Sequence, residues 1–376
     1  MLYSWNYHMP VSVQFGAGVR AQLVASVVDK RCLIVASERG RKQFESDSIL
    51  SEFIRANRVI WVDSISPNPG IDELQAHIEN LKGKKIDIVV GFGGGSCLDA
   101  AKIVSLGLLP EVKNNTLREL LDNPILHNSI KRPPLYTVPT TSGTGSEVTP
   151  FATVWDHQKK KKYSVSSQKS FPWVAYVDPE LTMDLPVEAT ISTGLDAINQ
   201  AAESVWNKSA TPITLFYAFK ALKLGLEALP RLLDSDCGIS ARICMAESSL
   251  FAGMAISHTR TALCHSISYP LTAHFGVPHG LACAFTMPAV LRHNLKSKDS
   301  RFEDLELFLN QGKLVRVFDR LNEKLNVRDR VLAFVPEPES LFDLIPEMYT
   351  PERANNNISE VNEDDIKSIL RFSVTG

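Results

Sequence analysis

The chain has 376 residues, 44% hydrophobic and 22% charged, the composition of a soluble globular protein with room for two or three domains. A formal net charge of -2 gives no electrostatic basis for binding nucleic acid. No basic-then-apolar segment at the N-terminus reads as a signal peptide, and no apolar run reads as long enough to span a bilayer. Six scattered cysteines (Cys32, Cys97, Cys237, Cys244, Cys264 and Cys283) show no CxxC spacing and read as the reduced thiols of a cytoplasmic protein.

In chain order, residues 11–16 alternate as a strand, and Gly16-Ala17-Gly18 turns the chain. The short apolar runs 32–37, 59–62 and 86–91 read as buried parallel strands. Between them Ile71, Leu74, Ile78 and Leu81 recur at helical spacing. Strands alternating with helices predict an α/β domain with a mainly parallel sheet. From about Pro186 strand signals become rare. Ala- and Leu-rich segments at 213–229, 239–256 and 302–325 predict an all-helical second half. The expected division is 1–185 and 186–376. There is no internal repeat, and Lys159 to Lys162 is the only dense charge run, ordinarily a solvated turn.

Three stretches carry chemistry. Gly91-Phe92-Gly93-Gly94-Gly95-Ser96 links a strand to a helix starting near Ser96. Its glycines admit close backbone approach, and free N–H groups at the helix start favour a phosphate. It is neither GxGxxG nor a Walker loop, and a plain tight turn is the alternative. Residues 135–148 end a strand at Pro139 and continue into a hydroxyl-rich loop, whose short donors suit phosphate or ribose oxygens; a polar surface loop is the alternative. In the third stretch, Asp196 and Gln200 stand four apart on one helix face, with His265 and His279 further on. Together these four would make a mixed O/N site for a divalent transition metal; otherwise they are two buried histidines and a polar helix face.

Several motifs in order resemble the iron-containing (group III) alcohol dehydrogenases: Gly93-Gly94-Gly95-Ser96 with Asp99 and Lys102, the run Pro139 to Thr149, Val177-Asp178-Pro179-Glu180-Leu181-Thr182, Thr193-Gly194-Leu195-Asp196-Ala197 and Pro278-His279-Gly280. The resemblance runs from about Phe15 to the end. It implies an N-terminal Rossmann-like dinucleotide-binding domain, a C-terminal all-helical metal-binding domain and a homodimer. It further implies NAD(P)H with Fe²⁺ or Zn²⁺, and no membrane or nucleic-acid partner. By motif match Gly94, Gly95 and Ser96 hold the pyrophosphate, Thr140, Thr141 and Ser146 line the nicotinamide side, and Asp99 also belongs to the cofactor site. Lys162 matches a lysine that reaches the cofactor. Asp196, Gln200, His265 and His279 match the metal ligands, and His265 and His279 are thereby the catalytic histidines.

Two departures stand out. Gln200 occupies a position where the family has histidine, and an amide oxygen is the weaker donor. Tyr269 replaces a second histidine, four residues after His265, that relays protons in relatives. Tyr269, His274, or water with a ribose hydroxyl are the candidates for that relay here. The wording around Asp196 and His265 resembles the phosphonoacetaldehyde reductase branch, which would make the reaction phosphonoacetaldehyde to 2-hydroxyethylphosphonate. Such a substrate needs a basic group for its anion, and the sequence singles out none. Ser37, at the expected adenine-ribose end of a strand, lacks the carboxylate that repels a 2′-phosphate, and Arg39 or Arg41 nearby could pair with one, so NADPH is expected to be accepted or even preferred. A dehydroquinate-synthase-like lyase and a non-catalytic cofactor-binding relative are the alternative functions.

Overall fold

The computed structural model describes residues 4–108, 117–123, 131–159, 161–233 and 238–376; Cys237 lies outside them. Two compact units form. One is His8–Thr141 with Ser146–Asp184. The other is Leu185–Gly376 with Ser142–Gly145 and the N-terminal residues up to Tyr7. The chain thus enters the second unit at Leu185, and it also visits that unit with the four-residue loop Ser142–Gly145.

The first unit is α/β. Its strands are β1 (Ser12–Phe15), β2 (Arg31–Val35), β3 (Arg58–Val62), β4 (Ile88–Gly93), β5 (Leu135–Pro139), β6 (Phe151–Asp156), β7 (Lys161–Ser166) and β8 (Val174–Val177). Six of them form one parallel sheet in the order β1-β8-β5-β4-β2-β3. Cys32 and Ile34 point into one core and Leu33 and Val35 into the other, so β2 is covered on both faces and reads as an unbroken apolar run. Each such side chain, fully buried, contributes about 1.5–3 kcal/mol.

Connections leave β2 towards β3 and leave β4 towards β5 on the other side. The carboxyl ends of β2 and β4 therefore form a topological switch point, where open α/β sheets place their ligands. The motif Val177 to Thr182 closes this unit structurally. Buried Asp178 accepts from the backbone N–H of Gly18, Arg20 and Glu180 and from the Arg20 guanidinium at 2.8 Å.

β4 differs from the expected strand at 86–91 by running two residues further, through Gly93. Gly91 lies inside the strand because the following helix packs so closely that a Cβ there would meet Ala101 at 2.9 Å. β6 and β7, an antiparallel pair, were not evident in the sequence, since the lysine run extends into β7.

The second unit is helical. Its main helices are Val187–Val205, Pro212–Arg231, Gly238–Thr259, Leu263–Phe275 and His279–Asn294. They share one core that includes Leu195, Ile198, Trp206, Leu222, Leu229 and Ile267. Two sequence expectations need correction. Gly238–Thr259 does have the length and apolarity of a membrane span, but 61% of its apolar window is buried inside the protein. It packs against Val187–Val205 and Pro212–Arg231 as a core helix. The expected long segment 302–325 is two helices, Ser300–Leu309 and Leu314–Lys324, broken where Asn310 and Gly312 take positive φ.

Candidate active site

In the α/β unit, β4 ends at Gly93, whose φ of +138° and near contact with Cys97 (2.8 Å from a would-be Cβ) admit only glycine. Gly94 is the N-cap of the helix Gly95–Gly107, and no side chain caps that helix. Gly94, Gly95 and Ser96 therefore present a bare helix start, the feature that holds a pyrophosphate. Thr140 donates its backbone N–H to Gly93 O at 3.0 Å, and a Cβ at Gly94 would meet the Thr141 side chain at 3.3 Å, so both threonines flank the glycine turn.

Ser37 follows β2 and caps the next helix, accepting from Gly40 N at 3.1 Å. Asp99 faces inward, accepting from Ser146 Oγ at 2.6 Å and Thr153 N at 2.8 Å. Beside it the buried Lys102 ammonium donates to Ser146 Oγ at 2.8 Å and Phe151 O at 2.6 Å. Asp99 and Lys102 thus brace the hydroxyl-rich loop at Ser146. Burial brings the Lys102 pKa down to about 8, against the pull of Asp99 and Glu147. Lys162 sits half-buried on β7, opposite Trp155.

The helical unit gathers a second constellation. Asp196 lies mid-helix on Val187–Val205, His265 early in Leu263–Phe275, and His279 opens His279–Asn294. Close approach of the first and third helices depends on Gly280, because a Cβ there would lie 1.8 Å from Ser192 O. His265 Nε2 stands 3.4 Å from Asp196 Oδ1, and His279 Nε2 stands 3.9 Å from the same oxygen. Cys283 Sγ lies 3.9 Å from His279 Nε2. One donor atom from each of Asp196, His265, His279 and Cys283 falls within 4.8 Å of the other three. Carboxylate, two imidazoles and a thiol at that spacing suit one divalent transition metal.

His265 is oriented from behind. Buried Glu203 accepts from His265 Nδ1 at 2.7 Å, from Ala262 N at 2.7 Å and from His265 N at 3.1 Å. That fixes the Nδ1 proton and leaves Nε2 for a metal. Burial opposes charge on His265, but Cys283, Glu203 and Asp196 together hold its pKa well above the usual value. Burial likewise raises the Cys283 thiol, and His265 and His279 outweigh it to bring the pKa to about 7. Gln200 turns Nε2 towards Thr144 O at 3.4 Å, and its buried Oε1 has no hydrogen-bond partner among the described residues. An acceptor left in that state suits a nearby cation.

Residues 10–179 match the family described as iron-containing alcohol dehydrogenase, and residues 190–374 match its C-terminal family. The NAD-dependent methanol dehydrogenase of Bacillus methanolicus is 30% identical over 313 residues, 82% of this chain and 80% of the relative.

The chain belongs to the iron-containing alcohol dehydrogenase family.

It is a metal-dependent, NAD(P)-linked alcohol dehydrogenase or aldehyde reductase. The phosphonoacetaldehyde reductase of Streptomyces viridochromogenes is 34% identical over 226 residues, 59% of this chain and 57% of the relative. Among solved structures, the sulfoacetaldehyde reductase of Bifidobacterium kashiwanohense in complex with NAD+ superposes with a TM-score of 0.86 at 27% identity, covering 99% of each chain.

In this family member the structure brings Asp196, His265 and His279 together with Cys283. Two site residues went unread. Cys283 stands four residues after His279, so the helix-face argument that paired Asp196 with Gln200 would have found it. Glu203, one turn beyond Gln200, is a further polar group on that face, but its partner His265 is 62 residues away. Tyr269 stacks on the His279 ring, centroids 6.1 Å apart and planes within 9°. His274, the other side chain considered for the proton relay, binds Glu347 at 2.8 Å.

Proposed function

We propose that this enzyme reduces a small aldehyde bearing an anionic tail to the primary alcohol, with phosphonoacetaldehyde as substrate and 2-hydroxyethylphosphonate as product. The donor cluster Asp196/His265/His279/Cys283, with His265 oriented by Glu203, is the observation that carries the reductase chemistry. Likeness to a phosphonoacetaldehyde reductase and a sulfoacetaldehyde reductase supports the anionic substrate. A reducing cytoplasmic setting and a homodimer belong to the same proposal. Five described cysteines, all free, support the setting.

When bound, the metal supplies Lewis acidity towards a carbonyl oxygen, and the nicotinamide supplies hydride. The chain's own residues do the rest. Glu203 holds the His265 proton on Nδ1. Asp196, His265 and Cys283 are buried, which keeps water from their side of the cluster and strengthens their field. Tyr269, against His279, carries a phenol O–H that can return a proton to the reacting oxygen.

Oxidation of NADH and NADPH by the metal-loaded enzyme tests the reading, with phosphonoacetaldehyde, sulfoacetaldehyde and propanal as substrates. Highest kcat/KM for an anionic aldehyde, lost on chelation and restored by Fe²⁺ or Zn²⁺, is the expected result. Preference for propanal over both anionic aldehydes overturns the substrate assignment, and full activity after complete chelation overturns the metal's role.

A further inference from the structure

An anionic substrate requires a cation near the carbonyl end, and the helical unit holds one that its own acids leave alone. Arg353 lies on the short helix Pro351–Ala354 and is half-buried. Its Cζ sits 5.1 Å from the centroid of the Tyr269 ring, and Tyr269 in turn stacks on His279. Its Nε is buried with no hydrogen-bond partner. Among the described residues no carboxylate lies within ion-pair distance of its guanidinium. Other arginines of this unit are paired: Arg292 with Asp319 at 2.6 Å, Arg301 with Asp299 at 2.8 Å, and Arg330 with Glu188. Glu347, four residues before the helix, is taken by His274.

Arg353 is also held in place. Ser266, next to His265, accepts from Thr350 N at 2.9 Å and donates to Met348 O at 2.6 Å. Asn356 donates to Thr261 O at 2.8 Å, just before the same helix. The segment around Arg353 is thereby tied on both sides to the helix that carries His265 and Tyr269. A fixed, partly desolvated guanidinium without a counter-charge is unfavourable in the free protein, and a bound oxyanion would relieve it. Its planar fork fits two oxygens of a tetrahedral anion.

We propose that Arg353 binds the phosphonate or sulfonate of an aldehyde whose carbonyl lies at the Asp196/His265/His279/Cys283 cluster, with Tyr269 as the wall between the two ends. The assignment rests on the aldehyde-reductase reading. It names a specificity-determining residue and a substrate class, small aldehydes ending in a tetrahedral oxyanion.

Two measurements on the metal-loaded enzyme test it, using the parent, Arg353→Met and Arg353→Lys. In the first, kcat/KM is measured for phosphonoacetaldehyde, sulfoacetaldehyde and propanal. The anionic-to-propanal ratio should fall about tenfold to a hundredfold in Arg353→Met, mainly through KM, with partial recovery in Arg353→Lys. In the second, binding of methylphosphonate and methanesulfonate, which carry no aldehyde, is followed by calorimetry; binding to the parent should be lost in Arg353→Met. This arm reports on Arg353 even if no anionic aldehyde is turned over, a result that would count against the substrate reading alone. An unchanged ratio with unchanged anion binding overturns the proposal. So does an equal loss for all three aldehydes with anion binding retained, since that is the mark of a purely structural arginine.

Discussion

Replacing Glu203 by glutamine isolates what the buried carboxylate does for the metal centre. Its two oxygens accept three hydrogen bonds, two at Oε2 (His265 Nδ1 and Ala262 N) and one at Oε1 (His265 N). Glutamine keeps the size but offers a single acceptor oxygen. In its better orientation that oxygen serves His265 Nδ1 and Ala262 N, and the amide NH₂ then confronts the His265 backbone N–H in a fully buried site. One orphaned donor there costs about 1–3 kcal/mol of folding stability. The other orientation turns the NH₂ towards His265 Nδ1 and favours the wrong tautomer, with the proton on the nitrogen that should face the metal. Either way Zn²⁺ affinity should drop about tenfold to a hundredfold, the usual consequence of losing a carboxylate behind a ligating histidine. Competition with a chromophoric chelator measures the affinity, and thermal unfolding of the apo protein measures the stability. A folded Glu203→Gln protein that binds Zn²⁺ within about threefold of the parent would refute the orienting role, since threefold is only about 0.6 kcal/mol.

Gly280→Ala should destabilise the helical unit by about 1–3 kcal/mol or more and weaken metal retention, because its methyl would sit 1.8 Å from Ser192 O; unchanged urea midpoint and metal content would contradict this. Glu147 is wholly buried, and that burial raises its pKa from 4.5 to about 7 against the pull of a backbone hydrogen bond and Lys102. The folded state thus holds the proton more tightly than the unfolded chain. The stabilisation is complete below pH 4.5 and is lost as pH rises through about 7, by on the order of 3 kcal/mol. Glu147→Gln should flatten that part of the stability–pH curve, which denaturant titrations at several pH values will show. NADPH should be accepted with at least about a hundredth of the NADH efficiency, because Ser37 places no carboxylate at the end of β2. Arg41 is already paired with Glu45 and Asp63, and Arg39 reaches Asp184 O, so neither stands free for a 2′-phosphate. Ser37→Asp should lower the NADPH-to-NADH ratio by about tenfold or more in steady-state assays.

The α/β half was legible because its central strands are buried on both faces and therefore appear as apolar runs, as Cys32 to Val35 and Val89 to Phe92 show. β6 and β7 were illegible because Lys161 and Lys162 begin a strand with the residues of a solvated turn. The break at Asn310 and Gly312 was written in the sequence as two residues that tolerate positive φ, and the surrounding apolar spacing hid it. Helix length and hydropathy could not separate a core helix from a membrane span at Gly238–Thr259. Only the packing of its neighbours does so.

The metal site shows the same division more sharply. Residues one helical turn apart declare their common face, so Asp196 with Gln200, and His279 with Cys283, are local facts. What sequence cannot give is the contact between helices, and here that contact rests on one missing side chain, at Gly280. The close approach it permits sets His279 and Cys283 beside Asp196, and with His265 they offer four donor atoms within 4.8 Å of one another. The Cys283 thiol adds a stronger donor to the set than the amide of Gln200 could supply. Gln200 holds the loop carbonyl of Thr144 through Nε2, which fixes the amide and leaves its buried Oε1 without a hydrogen-bond partner among the described residues, an acceptor suited to a cation.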